Sequence, residues 1–267
     1  MTGEARTVVP SAPIVSGGRA AGSVPVVIGL PEPIQGCLFD LDGVLTSTAT
    51  LHREAWKKTF DAFLEARFGA GFTPFTEQDY MAYVDGRTRT DGVRAFLESR
   101  QISLAEGDPD DGPDAQTLRG VGNRKNELLL RMIDERGVEV YPGSRRYLLA
   151  VREAGLRVAV VTSSANGAQV LRVTGLDKLV DARVDGVTIE QQGLRGKPAP
   201  DSFLAGAKAL DLGAAEAAVF EDALAGAQAG RAGGFGYVVG VDREGDPQRL
   251  RDAGADTVVS DLAELLA

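Results

Sequence analysis

Three scarcities set the first limits on this 267-residue chain. It has one cysteine, Cys37, so no disulfide framework can form within it. That cysteine sits in an apolar run, where a buried structural thiol is expected and a catalytic one is not. Basic residues are outnumbered, 29 Lys and Arg against 38 Asp and Glu, a formal net charge of -9. Nucleic-acid binding, driven by clustered cations that neutralise phosphates, is therefore not expected, and any anionic ligand must be held by local cations. Long hydrophobic runs are also missing. Apolar stretches are strand-sized, and no charged segment leads into a long apolar core, so neither a membrane span nor a signal peptide is expected. The cytoplasm is the default location, and a monomer is the expected state.

What is present is concentrated in four short segments. In Phe39-Asp40-Leu41-Asp42-Gly43-Val44-Leu45, two carboxylates stand two residues apart where a buried run breaks at glycine. Residues i and i+2 of an extended chain point the same way, so Asp40 and Asp42 can face one crevice while Leu41 packs behind them. One carboxylate can attack phosphorus to form an aspartyl phosphate, and its neighbour can carry the proton of the oxygen that leaves or attacks. The second segment is a buried strand, Val158–Val161, that stops at the hydroxyl-rich turn Thr162-Ser163-Ser164-Ala165-Asn166-Gly167 and opens a helix, a place suited to phosphate. In the third, Gly196-Lys197-Pro198-Ala199-Pro200-Asp201, two prolines stiffen the loop that carries Lys197. In the fourth, the strand Ala217–Phe220 ends in Glu221 and Asp222. Acids at a strand end beside a phosphate site suggest Mg²⁺, because a carboxylate approaches an anionic phosphoryl group only when a cation offsets their repulsion. Asp40 and Asp222 would be its side-chain ligands, with Glu221 close by.

Each segment alone has an ordinary structural reading as a turn, a cap or a solvated charge. In this order they resemble the four motifs of the haloacid dehalogenase superfamily, over a span from about residue 34 to the C-terminus. The resemblance implies a doubly wound, Rossmann-like α/β fold with a parallel sheet and an inserted helical cap. It also implies Asp40 as nucleophile, Asp42 as general acid/base, Thr162 and Lys197 on the phosphate, and Asp40, the Asp42 carbonyl and Asp222 on magnesium.

Periodicity supplies the domain outline. Residues 1–33 are rich in Gly, Pro, Ser, Ala and Val and read as a mobile tail, with a possible edge strand at Val24–Ile28. Helical patterns at 49–68, 76–84, 88–99 and 114–135 predict an all-helical cap over 49–140, inserted right after the nucleophile strand. Strands at 157–162, 217–220, 236–241 and 256–259 alternate with helices and place 34–48 and 141–267 in the α/β core.

The cap separates one reaction from another. The only histidine, His52, lies in Leu51-His52-Arg53-Glu54-Ala55-Trp56-Lys57. With Gly86-Arg87-Thr88-Arg89, Arg124-Lys125-Asn126 and Asn166, this segment is similar to the lid of the β-phosphoglucomutase family. That resemblance implies interconversion of β-glucose 1-phosphate and glucose 6-phosphate through glucose 1,6-bisphosphate, with His52 joining the catalytic pair. Gly86, Thr88, Arg89, Lys125 and Asn126 of the cap and Thr162, Ser163, Ser164, Asn166 and Lys197 of the core would bind substrate. Arg89 is the expected anchor for the phosphate far from Asp40, since a guanidinium grips phosphate in a bidentate way. Ser47, where relatives often carry an acid, and the acidic Pro/Gly loop Glu106–Asp114 depart from the family pattern and leave the sugar open. A small-metabolite phosphatase with the same four motifs is the alternative. A non-catalytic binding protein on this fold should have lost Asp40 or Asp42, and both are present.

Overall fold

The computed structural model describes residues 28–266. Residues 1–27, which hold most of the expected tail and of the expected edge strand, lie outside the described residues. Residues 28–33, grouped with the tail by composition, are seated on the core instead. Ile28 and Leu30 pack against its apolar cluster, and the Tyr147 hydroxyl donates to the Ile28 carbonyl at 2.8 Å.

The chain then enters β1 (Gly36–Phe39), whose four residues are all buried, as a central strand covered on both faces requires. The cap follows: α1 (Thr48–Phe68), a short α2 (Glu77–Asp79) running into a π-helical turn (Tyr80–Val84), α3 (Arg89–Ser99) and α4 (Leu118–Arg136). The rest alternates: α5 (Pro142–Glu153), β2 (Arg157–Val161), α6 (Gly167–Thr174), β3 (Ala182–Val184), α7 (Gly186–Gln191), α8 (Asp201–Ala209), β4 (Ala217–Glu221), α9 (Leu224–Ala232), β5 (Tyr237–Val241), α10 (Pro247–Asp252) and β6 (Thr257–Val259). Two expectations need correction. The segment 76–84 is not one α-helix, because Asp85 N–H reaches back to the Tyr80 carbonyl and widens the turn. The fourth cap helix begins at Leu118 rather than 114, where the Thr117 hydroxyl accepts from Gly120 N–H and caps it.

The six strands form one parallel sheet in the order β3-β2-β1-β4-β5-β6. Successive strand residues point to opposite faces, and the two apolar clusters divide accordingly. Cys37, Phe39, Val158, Val160, Ala218 and Phe220 meet α5 and α6 through Tyr147, Leu148 and Val170. Leu38, Ala159, Val161, Ala217 and Val219 meet α8 and α9 through Phe203, Ala207, Ala227 and Ala229. The winding reverses at β1 and β4, and such a switch point opens a crevice at the carboxyl ends of those strands.

The cap has its own apolar centre, where Phe60 stands 4.3 Å from Phe96 and 5.0 Å from Phe75, ring centre to ring centre. Leu129, Met132 and Ile133 near the end of α4 join the core cluster instead, so this helix ties cap to core. The chain enters and leaves the cap side by side. Thr46 bridges Val140, Ser47 N–H bonds the Glu139 carbonyl at 3.0 Å, and Tyr141 N–H bonds the Leu45 carbonyl at 3.0 Å. No helix among the described residues is long and apolar enough to cross a membrane.

Candidate active site

The ends of β1, β2 and β4 converge on one crevice. Asp40 follows β1 directly, and its N–H bonds the Phe220 carbonyl of β4 at 2.9 Å. Lys197 Nζ, fully buried, donates to Asp40 Oδ1 at 2.7 Å, to Glu221 Oε1 and to the Val161 carbonyl at 3.2 Å. Three acceptors use its three protons. Burial alone would lower the Lys197 pKa, but the adjacent Asp40 and Glu221 charges outweigh it and hold the ammonium well above its ordinary range. Glu221 Oε2 accepts from Ala223 N–H at 3.0 Å, so Glu221 mainly holds the lysine in place.

Asp42 faces the same crevice. Thr48 donates to its Oδ1, Thr162 donates to its Oδ2 at 3.1 Å, and His52 Nε2 lies 3.6 Å from Oδ1. Thr46 and Thr48 hydroxyls are 2.7 Å apart, and Thr46 also donates to the Leu41 carbonyl at 3.1 Å. The turn between the acids works only with glycine at 43. Its φ is +92°, and a Cβ there would sit 1.8 Å from Asp222 Oδ2. Arg243 braces this loop by donating to the Gly43 carbonyl at 2.7 Å while stacking over the Tyr141 ring at 3.8 Å.

Asp40, Glu221 and Asp222 each bring a carboxylate oxygen within 4.8 Å of the others. Burial raises the Asp222 pKa well above the carboxylate range, with Asp85, Glu221 and Asp40 adding to the rise and Arg243 opposing it. Asp40 is raised in the same way, by burial first and then by Glu221 and Asp42 against the pull of Lys197. Crowded, buried, all-oxygen and short of positive charge, this donor set fits a hard divalent cation. Such an ion would relieve the repulsion that otherwise favours protonation.

The cap closes the crevice from above with His52, Trp56, Tyr80, Asp85, Gly86, Arg87, Arg89, Lys125 and Asn126. Lys125, buried, places Nζ 3.0 Å from His52 Nδ1 and 4.9 Å from the centre of the Trp56 ring. Burial, then Arg89, lowers the Lys125 pKa to about 7 against the pull of Asp42. His52 falls to about 4 through burial, then Lys125 and Arg89, again opposed by Asp42. Across the gap Asn166 donates to Asn126 at 2.9 Å, and Ser163 donates to the Gly86 carbonyl at 2.7 Å. Two further ion pairs join the domains: Arg53 of α1 with Glu244, and Arg119 of α4 with Glu190.

Of the residues singled out in the sequence, Asp40, Asp42, His52, Gly86, Arg89, Lys125, Asn126, Thr162, Ser163, Ser164, Asn166 and Asp222 line this one crevice. Lys197 and Glu221 lie beneath it. Thr88 does not face it: its hydroxyl accepts from Asp91 N–H and caps α3. Lys125, expected to bind substrate, lines the crevice and also reaches His52. Sequence reasoning missed Thr46, Thr48, Tyr80, Asp85 and Arg243. Asp85 is the most consequential, an acid on the cap side whose pKa burial and Glu221 push up to about 6. Its position directly before Gly86 was the signal available.

Residues 34–234 match the model of the haloacid dehalogenase-like hydrolase family. The chain is 56% identical over 247 residues to a β-phosphoglucomutase of Mycobacterium tuberculosis, covering 90% of this chain and 94% of that one. With a β-phosphoglucomutase of Bacillus subtilis the identity is 30% over 237 residues, covering 87% and 92% of the two chains. Among solved structures, a β-phosphoglucomutase from Clostridium difficile matches with a TM-score of 0.70 at 26% identity, covering 87% of this chain and 93% of that one.

Proposed function

The chain belongs to the haloacid dehalogenase-like hydrolases and, within them, to the β-phosphoglucomutases, and on this footing we propose that it interconverts β-D-glucose 1-phosphate and D-glucose 6-phosphate through glucose 1,6-bisphosphate. The observation that carries the proposal is that one crevice holds a carboxylate pair fit for phosphoryl transfer and, facing it from the cap, a separate set of cationic and polar groups. A phosphatase needs only the first. A mutase needs both, because its intermediate bears two phosphates and must present each in turn.

Asp40 Oδ1 is taken by Lys197, which leaves Oδ2 as the oxygen that attacks phosphorus and becomes the acyl phosphate. As the P–O bond to the sugar breaks, Asp42 in its acid form delivers a proton to the departing sugar oxygen. In the return step Asp42, now a carboxylate, takes the proton from the free 6-hydroxyl of an incoming β-glucose 1-phosphate as that oxygen attacks the aspartyl phosphate, which frees Asp40 and regenerates the bisphosphate. Thr48 and Thr162 hold the Asp42 carboxylate in place for both roles. Lys197, with the hydroxyls and amides of Thr162 to Ser164, offsets charge on the transferring group. Magnesium, held by Asp40, Asp222 and the Asp42 carbonyl with Glu221 alongside, would supply the positive charge that lets an anionic phosphoryl group approach an anionic carboxylate. Arg89 grips the phosphate not being transferred, and Asn126 with Asn166 meets the sugar. The closed cap keeps water from the aspartyl phosphate until a sugar hydroxyl is in place to accept the phosphoryl group.

A coupled assay for glucose 6-phosphate from β-glucose 1-phosphate, run with and without the bisphosphate and beside free-phosphate detection, tests the reading. Bisphosphate-stimulated glucose 6-phosphate formation is expected. Release of inorganic phosphate in its place would overturn the proposal in favour of the phosphatase.

A further inference from the structure

The acidic loop between α3 and α4 is tied into the cap by Arg94, Arg119, Asn123 and Arg124. Its stem is closed by Leu118 N–H to the Ala105 carbonyl and Arg119 N–H to the Glu106 carbonyl, each at 3.0 Å. Inside, Thr117 donates to Asp111 Oδ2 at 2.6 Å, and Arg94 of α3 reaches Glu106 at 2.8 Å. The loop then presents two backbone carbonyls, Pro109 and Asp111, to Asn123 Nδ2 at 3.0 and 2.8 Å.

That pair of contacts fixes which way the amide faces. Carbonyls only accept, so both must meet the NH₂ end of Asn123, and the amide oxygen is left pointing the opposite way. There it accepts from Arg89 NH1 at 2.9 Å. The neighbouring residue completes the arrangement. A Cβ at Gly122 would lie 3.0 and 3.1 Å from Arg89 Cδ and Cγ, so the arginine stem lies across bare backbone. Arg89 is thus held at its stem by Gly122 and at its head by Asn123, with the loop locking Asn123.

We propose that Asn123 and the loop 106–114 form a positioning device for Arg89, setting its guanidinium toward the crevice before the distal phosphate arrives. The loop is then a working part of substrate binding. A free arginine surrenders much rotamer freedom when it grips an anion, and holding it beforehand removes that cost from binding. The inference rests on the mutase reading, in which Arg89 meets the phosphate remote from Asp40.

The test measures glucose 1,6-bisphosphate affinity by calorimetry, mutase turnover, and hydrolysis of p-nitrophenyl phosphate, which reaches Asp40 without the distal grip. Asn123→Ala should weaken bisphosphate binding roughly tenfold, as expected for a lost hydrogen bond to a charged group. Mutase kcat/KM should fall much more than ester hydrolysis, with the effect mainly in KM. Replacing 108–113 by a short Gly-Ser link, which leaves Asn123 in the chain, should reproduce the loss. In an Arg89→Ala background, Asn123→Ala should add nothing. A full second loss in that background, or an equal fall in both reactions, would overturn the device, since either means that Asn123 acts on the fold rather than through Arg89. Wild-type protein that binds bisphosphate while Asn123→Ala binds it equally well would overturn this inference alone. Wild-type protein that does not bind the bisphosphate would overturn the mutase reading and the inference with it.

Discussion

Lys125 Nζ stands 3.0 Å from His52 Nδ1 while His52 Nε2 stands 3.6 Å from Asp42 Oδ1, so the imidazole bridges a cap amine and a carboxylate of the core. When Lys125 is an ammonium it can only donate, so Nδ1 accepts, and the proton of a neutral ring then sits on Nε2, the atom that faces Asp42. The cap thereby offers the Asp42 carboxylate a donor whose orientation depends on another cap residue.

His52 therefore folds into a site that favours its neutral form, with a pKa lowered from the ordinary 6.5 to about 4. The unfolded chain binds a proton more readily, so this contribution to stability is fully present above about pH 6.5 and is lost as pH falls toward 4. A shift of this size amounts to about 3 kcal/mol. Urea unfolding at pH 7.5 and pH 4.5 should show a smaller gap in His52→Gln than in the wild type. Equal gaps would mean the ring is not held neutral.

Asp40→Asn should abolish turnover and acid-labile labelling together, because an amide cannot form the acyl phosphate. Asp42→Asn should retain bisphosphate binding and slow transfer by roughly a hundred- to ten-thousand-fold, the range for general acid/base catalysis. Thr48→Val, which removes one hydroxyl from Asp42, should lower kcat by roughly tenfold. Normal turnover in Asp40→Asn would end the aspartyl-phosphate mechanism.

Magnesium should raise the thermal midpoint of the wild-type protein, since it binds the folded carboxylate cluster and not the dispersed one. Without the ion, Asp222→Asn should melt higher than the wild type, having lost a buried carboxylate that Asp85, Glu221 and Asp40 repel. It should then gain little on adding magnesium. A midpoint shift of wild-type size in Asp222→Asn would remove that residue from the metal site.

Arg89→Ala should depress mutase turnover far more than hydrolysis of p-nitrophenyl phosphate. His52→Ala should raise the ratio of hydrolysis to sugar transfer, because the cap then closes without its link to Asp42. Proportional losses in both reactions would show that the cap does not choose between acceptors.

The parts of this site legible in the sequence are those where a buried strand stops at a polar residue. β1, β2 and β4 are apolar runs covered on both faces, and each ends abruptly at Asp40, at Thr162, or at Glu221 and Asp222. β3 escaped detection because it has three residues and an exposed Arg183, too little for any period. Lys125 was legible as a cap cation, but its partner was not, since the His52 contact joins α1 to α4 and depends on how those helices pack. Thr48 and Arg243 were invisible for the same reason: a hydroxyl at a helix start and an arginine in a distant loop gain their meaning only when the sheet brings them to the Asp40–Gly43 turn.

The insertion of the cap also dictates an order of assembly. Gly36 of β1 pairs with Arg157 on one side and Ala217 on the other, so the first strand made is among the last to find its neighbours. Until β2 leaves the ribosome, an apolar strand waits without a sheet, while the cap helices, whose partners are nearer in sequence than those of β1, can already assemble. A nascent chain arrested after about residue 140 should thus carry a formed cap and an unpaired β1, a species prone to pairing with other chains. The strand that delivers Asp40 to the crevice is also the one that burdens synthesis.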